Sequence, residues 1–248
     1  MKKILLLLVA LSGCASQPSP LNSAQGKHSS AAVHTELGAG YYSRGQYAVA
    51  LQELREALKA DPSYAQAYNV LGLVYMTLRE NDKAEQNFGQ ALSLSPRDSD
   101  INNNYGWFLC QTHRESQSIR HFQVALANPL YATPEIAYLN AGICSERMHD
   151  DRHAEVYYGE ALQAQPRLAQ ANLGLARIYY RDGKYRLASR FLSNYMKMAN
   201  TNAESLWLGI RIEHALGDPG VEADYVKQLK DRFPDSKEAQ DLMNGKFQ

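Results

Sequence analysis

Apolar and small residues recur along this chain at helical spacing, and the helical segments themselves recur about every 34 residues. Laying HTELGAGYYSRGQYAVALQELREALKADP over YNVLGLVYMTLRENDKAEQNFGQALSLSP brings Leu37, Gly38, Tyr41, Ala50, Leu54, Ala57 and Pro62 onto Leu71, Gly72, Tyr75, Ala84, Phe88, Ala91 and Pro96. A third unit keeps Gly106, Phe122, Ala125 and Pro129, with about two extra residues before the next. The fourth keeps Gly142, Ala154, Tyr158, Ala161 and Pro166, and the fifth keeps Leu175, Ala176, Tyr179, Gly183 and Ala188. The sixth has one helix in AESLWLGIRIEHALG, a break at DPG, and a second helix ending before Pro234. Each unit therefore reads as two helices that cross closely at a small residue, with large side chains between them and a proline ending the second.

This pattern resembles the tetratricopeptide repeat (TPR). The resemblance implies an all-α fold, a right-handed superhelical solenoid of about six helix-turn-helix units over residues 31–64, 65–98, 99–134, 135–168, 169–202 and 203–236. Residues 237–248, KEAQDLMNGKFQ, read as a polar-faced capping helix, because the last apolar face of a solenoid has no neighbour. About thirteen helices are expected around one continuous core.

In the repeat, the first helix of each unit lines the concave groove, with positions 2, 5, 9, 12 and 13 turned into it. Position 9 runs Ala39, Leu73, Trp107, Ile143, Arg177, Arg211, so an apolar stripe crosses units two to four. Contiguous exposed apolar surface marks a binding site. Asn69 and Asn103 at position 5 flank the stripe, where their amides can hold the backbone of a bound segment. Met76, Leu139 and Tyr180 complete the expected partner-binding groove with Asn69, Leu73, Asn103, Trp107, Ile143 and Arg177. The alternative is that a tightly wound superhelix buries Leu73, Ile143 and Trp107 between units. The stretch NNNYGWFLC thus belongs to a groove helix, with Tyr105 and Gly106 packing inward and Asn103 and Trp107 one turn apart on the open side.

The N-terminus supplies an address. Lys2 and Lys3 precede an apolar run of eight residues, Ile4 to Leu11, too short to span a bilayer, and LSGC follows. That arrangement resembles a lipoprotein signal in residues 1–13 with Cys14 as the lipidated residue. Three acyl chains would hold the protein at a membrane without spanning it. Ala15 rather than Asp after the cysteine resembles an outer-membrane sorting signal, which places the chain on the outer membrane facing the periplasm. Residues 14–30, rich in Ser, Gln and Pro, read as a flexible tether.

Charge and chemistry narrow the function. With 26 basic and 26 acidic residues there is no bulk field to gather nucleic acid. Position 5 runs Thr35, Asn69, Asn103, Leu139, Leu173, Trp207, so the lysine of the TPR carboxylate clamp is absent in its usual form. His149 to His153, HDDRH, falls in a turn and lacks the helical spacing that aims two imidazoles at one ion. No nucleophile has a matching base, so neither an enzyme nor a cofactor is implied. Cys110 and Cys144 lie 34 apart but at repeat positions 12 and 10, which favours two buried thiols over a disulfide.

The segments NNYGWFL, LNAGI and LWLGIRIEHALGD followed by QLKDRFPDS resemble the PilF/PilW family of type IV pilus biogenesis and stability lipoproteins. The resemblance implies a monomeric, pilotin-like scaffold that helps the pilus secretin reach the outer membrane and multimerise. An adaptor for other envelope machinery, such as peptidoglycan-modifying enzymes, is the alternative.

Overall fold

The computed structural model describes residues 20–246, with side chains from residue 26 onward. Cys14, Ala15 and the signal segment lie outside the described residues. Thirteen helices follow one another: α1 (Pro20–Ser43), α2 (Tyr47–Ala60), α3 (Ala65–Thr77), α4 (Asn81–Leu94), α5 (Ser99–Gln111), α6 (Glu115–Leu126), α7 (Pro134–Arg147), α8 (Asp151–Ala164), α9 (Ala169–Arg181), α10 (Tyr185–Met198), α11 (Ala203–Leu216), α12 (Pro219–Arg232) and α13 (Lys237–Met243). Among the described residues there is no strand. The first twelve pair as six antiparallel hairpins, the TPR solenoid.

Each hairpin turns through one residue in the left-handed region, at the same place in every unit: Gly45, Arg79, His113, His149, Gly183 and Gly217. Glycine takes this conformation without steric cost, whereas Arg79, His113 and His149 adopt it under the constraint of the two packed helices. Pro62, Pro96, Pro166 and Pro234 follow directly on the C-caps of α2, α4, α8 and α12. A proline there cannot donate to the preceding turn, so the helix stops.

The hairpins close where a glycine of the first helix meets a side chain 16 residues later in the second: Gly38 on Leu54, Gly72 on Phe88, Gly106 on Phe122 and Gly142 on Tyr158. A Cβ on any of these glycines would come within 3 Å of the facing side chain. In unit six the slot moves back by one residue, so that Gly209 meets Tyr225. Alanines one turn either side of the large residue let the second helix lie flat. Ala50, Leu54 and Ala57, then Ala84, Phe88 and Ala91, then Ala154, Tyr158 and Ala161 are all 0% exposed. At the C-terminal end, α13 seats Ala239 on Leu206, Trp207, Ile210 and Leu229 and so covers the last apolar face.

One element differs from expectation. Residues 20–30, expected as part of a flexible tether, form the first turns of α1. The helix is held from below by buried Ala31 and Thr35 and at its upper end by His28, which bonds Asp61 at 2.9 Å and stands edge-on to Tyr64. A polar sequence propagates cheaply as helix once a docked turn has nucleated it.

Gly174 and Gly159 test the packing with opposite signs. A Cβ at Gly174 would lie 2.3 Å from Tyr158 Cε2, whereas one at Gly159 meets nothing within 4 Å. Gly174→Ala should cost about 1–3 kcal/mol through overpacking, and Gly159→Ala should add about 0.5–1 kcal/mol through helix propensity. Thermal unfolding of the two variants should therefore shift in opposite directions.

Candidate functional site

Successive odd-numbered helices α1, α3, α5, α7, α9 and α11 touch one another, whereas among the described residues no even-numbered helix from α2 to α12 touches the next even-numbered one. The odd helices therefore lie on the inside of the curve. Their free faces form the concave surface.

Leu73, Met76, Trp107, Leu139, Ile143 and Tyr180 are all half-buried along this surface. Leu73 and Met76 pack on Ala84, Phe88 and Phe108, while Trp107 packs on Cys110, Phe122, Ala141 and Cys144. Leu139 and Ile143 pack on the cluster of Tyr158, Leu175 and Ile178. The two readings open at sequence level are thus combined: each side chain seals the seam to its neighbour and leaves part of itself facing the groove. The Arg147 guanidinium lies 5.7 Å from the centre of the Trp107 ring, a cation–π contact across the same seam.

The asparagines form a ladder between units. Asn69 donates to Gln66 Oε1 at 3.2 Å and accepts from Asn104 at 3.2 Å, and Asn103 accepts from Asn140 at 3.0 Å. Asn69 and Asn103 are only 4% and 6% exposed, and their first partners are other amides of this chain. Asn102, next in the run, accepts from His121 Nδ1 at 3.0 Å through Oδ1 while its amide nitrogen donates to the carbonyls of Pro96 and Asp98. The NNN stretch therefore ties α5 to α3, to α7 and to its own hairpin. Asn104 and Asn140 were not among the expected groove residues; their signal was the recurrence of Asn one position after Asn103 and Leu139.

Cys110 and Cys144 correct an expectation: they form a disulfide, with their Cα atoms 5.9 Å apart. Adjacent groove helices are staggered, so position 12 of one unit faces positions 9 and 10 of the next. Unequal repeat positions therefore do not keep the two sulfurs apart. Cross-links of this kind typically contribute about 2–4 kcal/mol, here at the middle of the solenoid.

The same stagger sets Arg177 against Glu146. Arg177 Nε and Nη2 reach the two Glu146 oxygens at 2.9 Å each, Tyr158 donates its hydroxyl to Glu146 at 2.9 Å, and Arg181 adds a contact at 3.1 Å. Burial alone would raise the Glu146 pKa, but the hydrogen bond and charge of Arg177, with Tyr158 and Arg181, outweigh it and hold the carboxyl below its ordinary value. Tyr158, fully buried and facing that carboxylate, is pushed far above the usual phenol range. Arg177 is thus the seam partner of α7 rather than a free groove cation. HDDRH places His149 at the hairpin turn and His153 on its own cap residue Asp150, 2.7 Å away. Among the described residues no cluster of three or more His, Cys, Asp or Glu side chains is arranged to hold a metal.

Sequence profiles of the tetratricopeptide repeat match residues 38–78 and 65–98. The type IV pilus assembly protein PilF of Pseudomonas aeruginosa is 30% identical over 241 residues, covering 96% of each chain. The chain belongs to the PilF/PilW family. The crystal structure of PilW, described as a widely conserved type IV pilus biogenesis factor, superposes with a TM-score of 0.78 at 38% identity, over 86% of this chain and 98% of that one. The structure of the Pseudomonas aeruginosa PilF gives a TM-score of 0.84 at 30% identity, over 89% and 99%. The likeness to PilF and PilW covers the whole repeat array, so the groove described above lies within the part that is shared in fold.

The Glu146 network gives a pH dependence. A carboxylate with a lowered folded pKa contributes stability above its unfolded value, 4.5, and loses it as pH falls through the folded one. Glu146→Gln should lower the melting temperature at pH 7 and flatten its decline below about pH 4.5 relative to the parent chain, as read from thermal melts across a pH series.

Proposed function

We propose that the protein is a lipid-anchored TPR scaffold for type IV pilus biogenesis, which binds the pilus secretin and assists its localisation to the outer membrane and its multimerisation. The observation that carries this reading is the likeness to PilF over 96% of the chain, a protein described as acting in type IV pilus assembly. The TPR is a protein-interaction fold, and the half-exposed groove stripe of Leu73, Met76, Trp107, Leu139 and Ile143 is a surface suited to a polypeptide segment rather than to a small substrate.

Lipidation at Cys14, followed by Ala15, would hold the array at the inner leaflet of the outer membrane, facing the periplasm. The disulfide agrees with an oxidising compartment. The scaffold works as a monomer in this reading, with the secretin as its partner and no cofactor. Short of the membrane, α1 begins at Pro20, so few residues separate the acylated cysteine from the folded array.

Cys14→Ala separates anchoring from folding, because the acyl chains hold the membrane and the repeats hold themselves. The variant should fold with an unchanged melting curve, leave the outer-membrane fraction, and reduce secretin multimers. Normal multimers with the variant in the soluble fraction would remove the anchor from the mechanism. Co-purification of peptidoglycan-modifying enzymes without secretin would replace the partner.

A further inference from the structure

Position 9 of units five and six carries the same residue type, Arg177 and Arg211, and each reaches back to position 12 of the preceding unit. Arg177 finds the Glu146 carboxylate there, at 2.9 Å. Arg211 finds a neutral ring: its guanidinium carbon lies 4.8 Å from the centre of Tyr180 and 5.8 Å from that of Trp207. Its Nε is buried without a hydrogen-bond partner, and the residue as a whole is half-buried. On α11, Glu204 pairs with Arg177 at 3.5 Å and Glu213 accepts from Ser189 at 2.7 Å.

A second guanidinium on the same face is in a like state. Arg147 is exposed, lies over Trp107, and donates only to neutral acceptors, the Cys110 carbonyl at 3.1 Å, Gln111 Oε1 at 3.4 Å and Cys110 Sγ at 3.7 Å. Among the described residues no carboxylate pairs with Arg147 or Arg211, whereas Arg181 is matched by Asp151 and Glu146. The half of the groove from Trp107 of unit three to unit six therefore presents two uncompensated cations, Arg147 set over one aromatic ring and Arg211 over two, which exclude water on one side. Such a setting strengthens a charge-assisted hydrogen bond to an incoming anion.

We infer that this half of the groove receives an acidic amphipathic segment of the partner, its apolar side chains on Trp107 and Ile143 and its carboxylates on Arg147 and Arg211. The inference rests on the reading of the concave face as the partner surface. Two cations two units apart call for two separate anions, which Asp and Glu side chains supply and a single chain-terminal carboxylate does not. The site thereby differs from a carboxylate clamp built on lysine and asparagine.

The test measures anisotropy of short labelled peptides with the purified full chain. One set tiles the pilus secretin, each peptide also made with every Asp and Glu changed to Asn and Gln; a designed Leu- and Glu-rich amphipathic peptide and its Gln counterpart form the other. Acidic forms should bind, and neutral counterparts should bind about tenfold or more weakly, the loss expected for one charged hydrogen bond. Rising salt should narrow that gap. Arg211→Gln should erase most of the preference, Arg211→Lys should keep part of it, and Arg190→Gln on α10 should keep all of it. Should Arg211→Gln not fold, exposed Arg147→Gln carries the same expectation. Binding by the designed peptide but by no secretin peptide would uphold the groove chemistry and sink the secretin as partner. Equal binding of acidic and neutral forms, full preference in a folded Arg211→Gln, loss of binding on amidating the peptide C-terminus alone, or no binding by either set would each overturn the inference.

Discussion

The array depends on one close approach repeated in five of its six hairpins, a glycine backbone pressed against a large side chain 16 residues later. That crossing fixes how near the two helices of a hairpin lie, and hence which faces are left over. One face goes to the neighbouring hairpin and one to the groove. Because each unit touches only its neighbours, an error in one crossing is not averaged out elsewhere, and the array is as sound as its weakest seam. From unit two onward the seams are reinforced by polar and covalent contacts: amides between units two, three and four, a disulfide between three and four, an arginine–carboxylate pair between four and five, and a cation on rings between five and six. The amides link neighbouring helices with hydrogen bonds that water would otherwise have to supply.

Much of this was legible in the sequence, because backbone crossings constrain residue type. Glycine, alanine and proline at fixed offsets gave the repeat frame, and its resemblance to the TPR implied the hairpins and the cap. The seams were harder to read. Cys110 and Cys144 occupy different repeat positions, and only the stagger between parallel groove helices, a three-dimensional offset, brings them together. The same stagger converts Arg177 from an apparent groove cation into the partner of Glu146. The start of α1 was missed for another reason: its first turns are polar, and their order comes from His28 docking on Asp61 and Tyr64, contacts far away in sequence.

The groove follows from these economies. A solenoid whose inner helices touch leaves a continuous strip of side chains that are half sealed and half open, and here that strip is apolar in its middle and arginine-bearing toward its C-terminal end. Half-burial holds the side chains in defined rotamers before a partner arrives, which lowers the entropy lost on binding. Trp107 sits at the junction, with the disulfide cluster beneath it and Arg147 above.

Trp107→Glu therefore tests the central claim that this open strip is the partner surface. With the disulfide and the amide ladder intact, and with Arg147 at hand to neutralise the new carboxylate, the variant should unfold cooperatively with its melting temperature lowered by no more than several degrees. Its affinity for the secretin, measured on the same preparation, should fall at least about tenfold. A folded variant that binds the secretin as tightly as the parent would contradict the account.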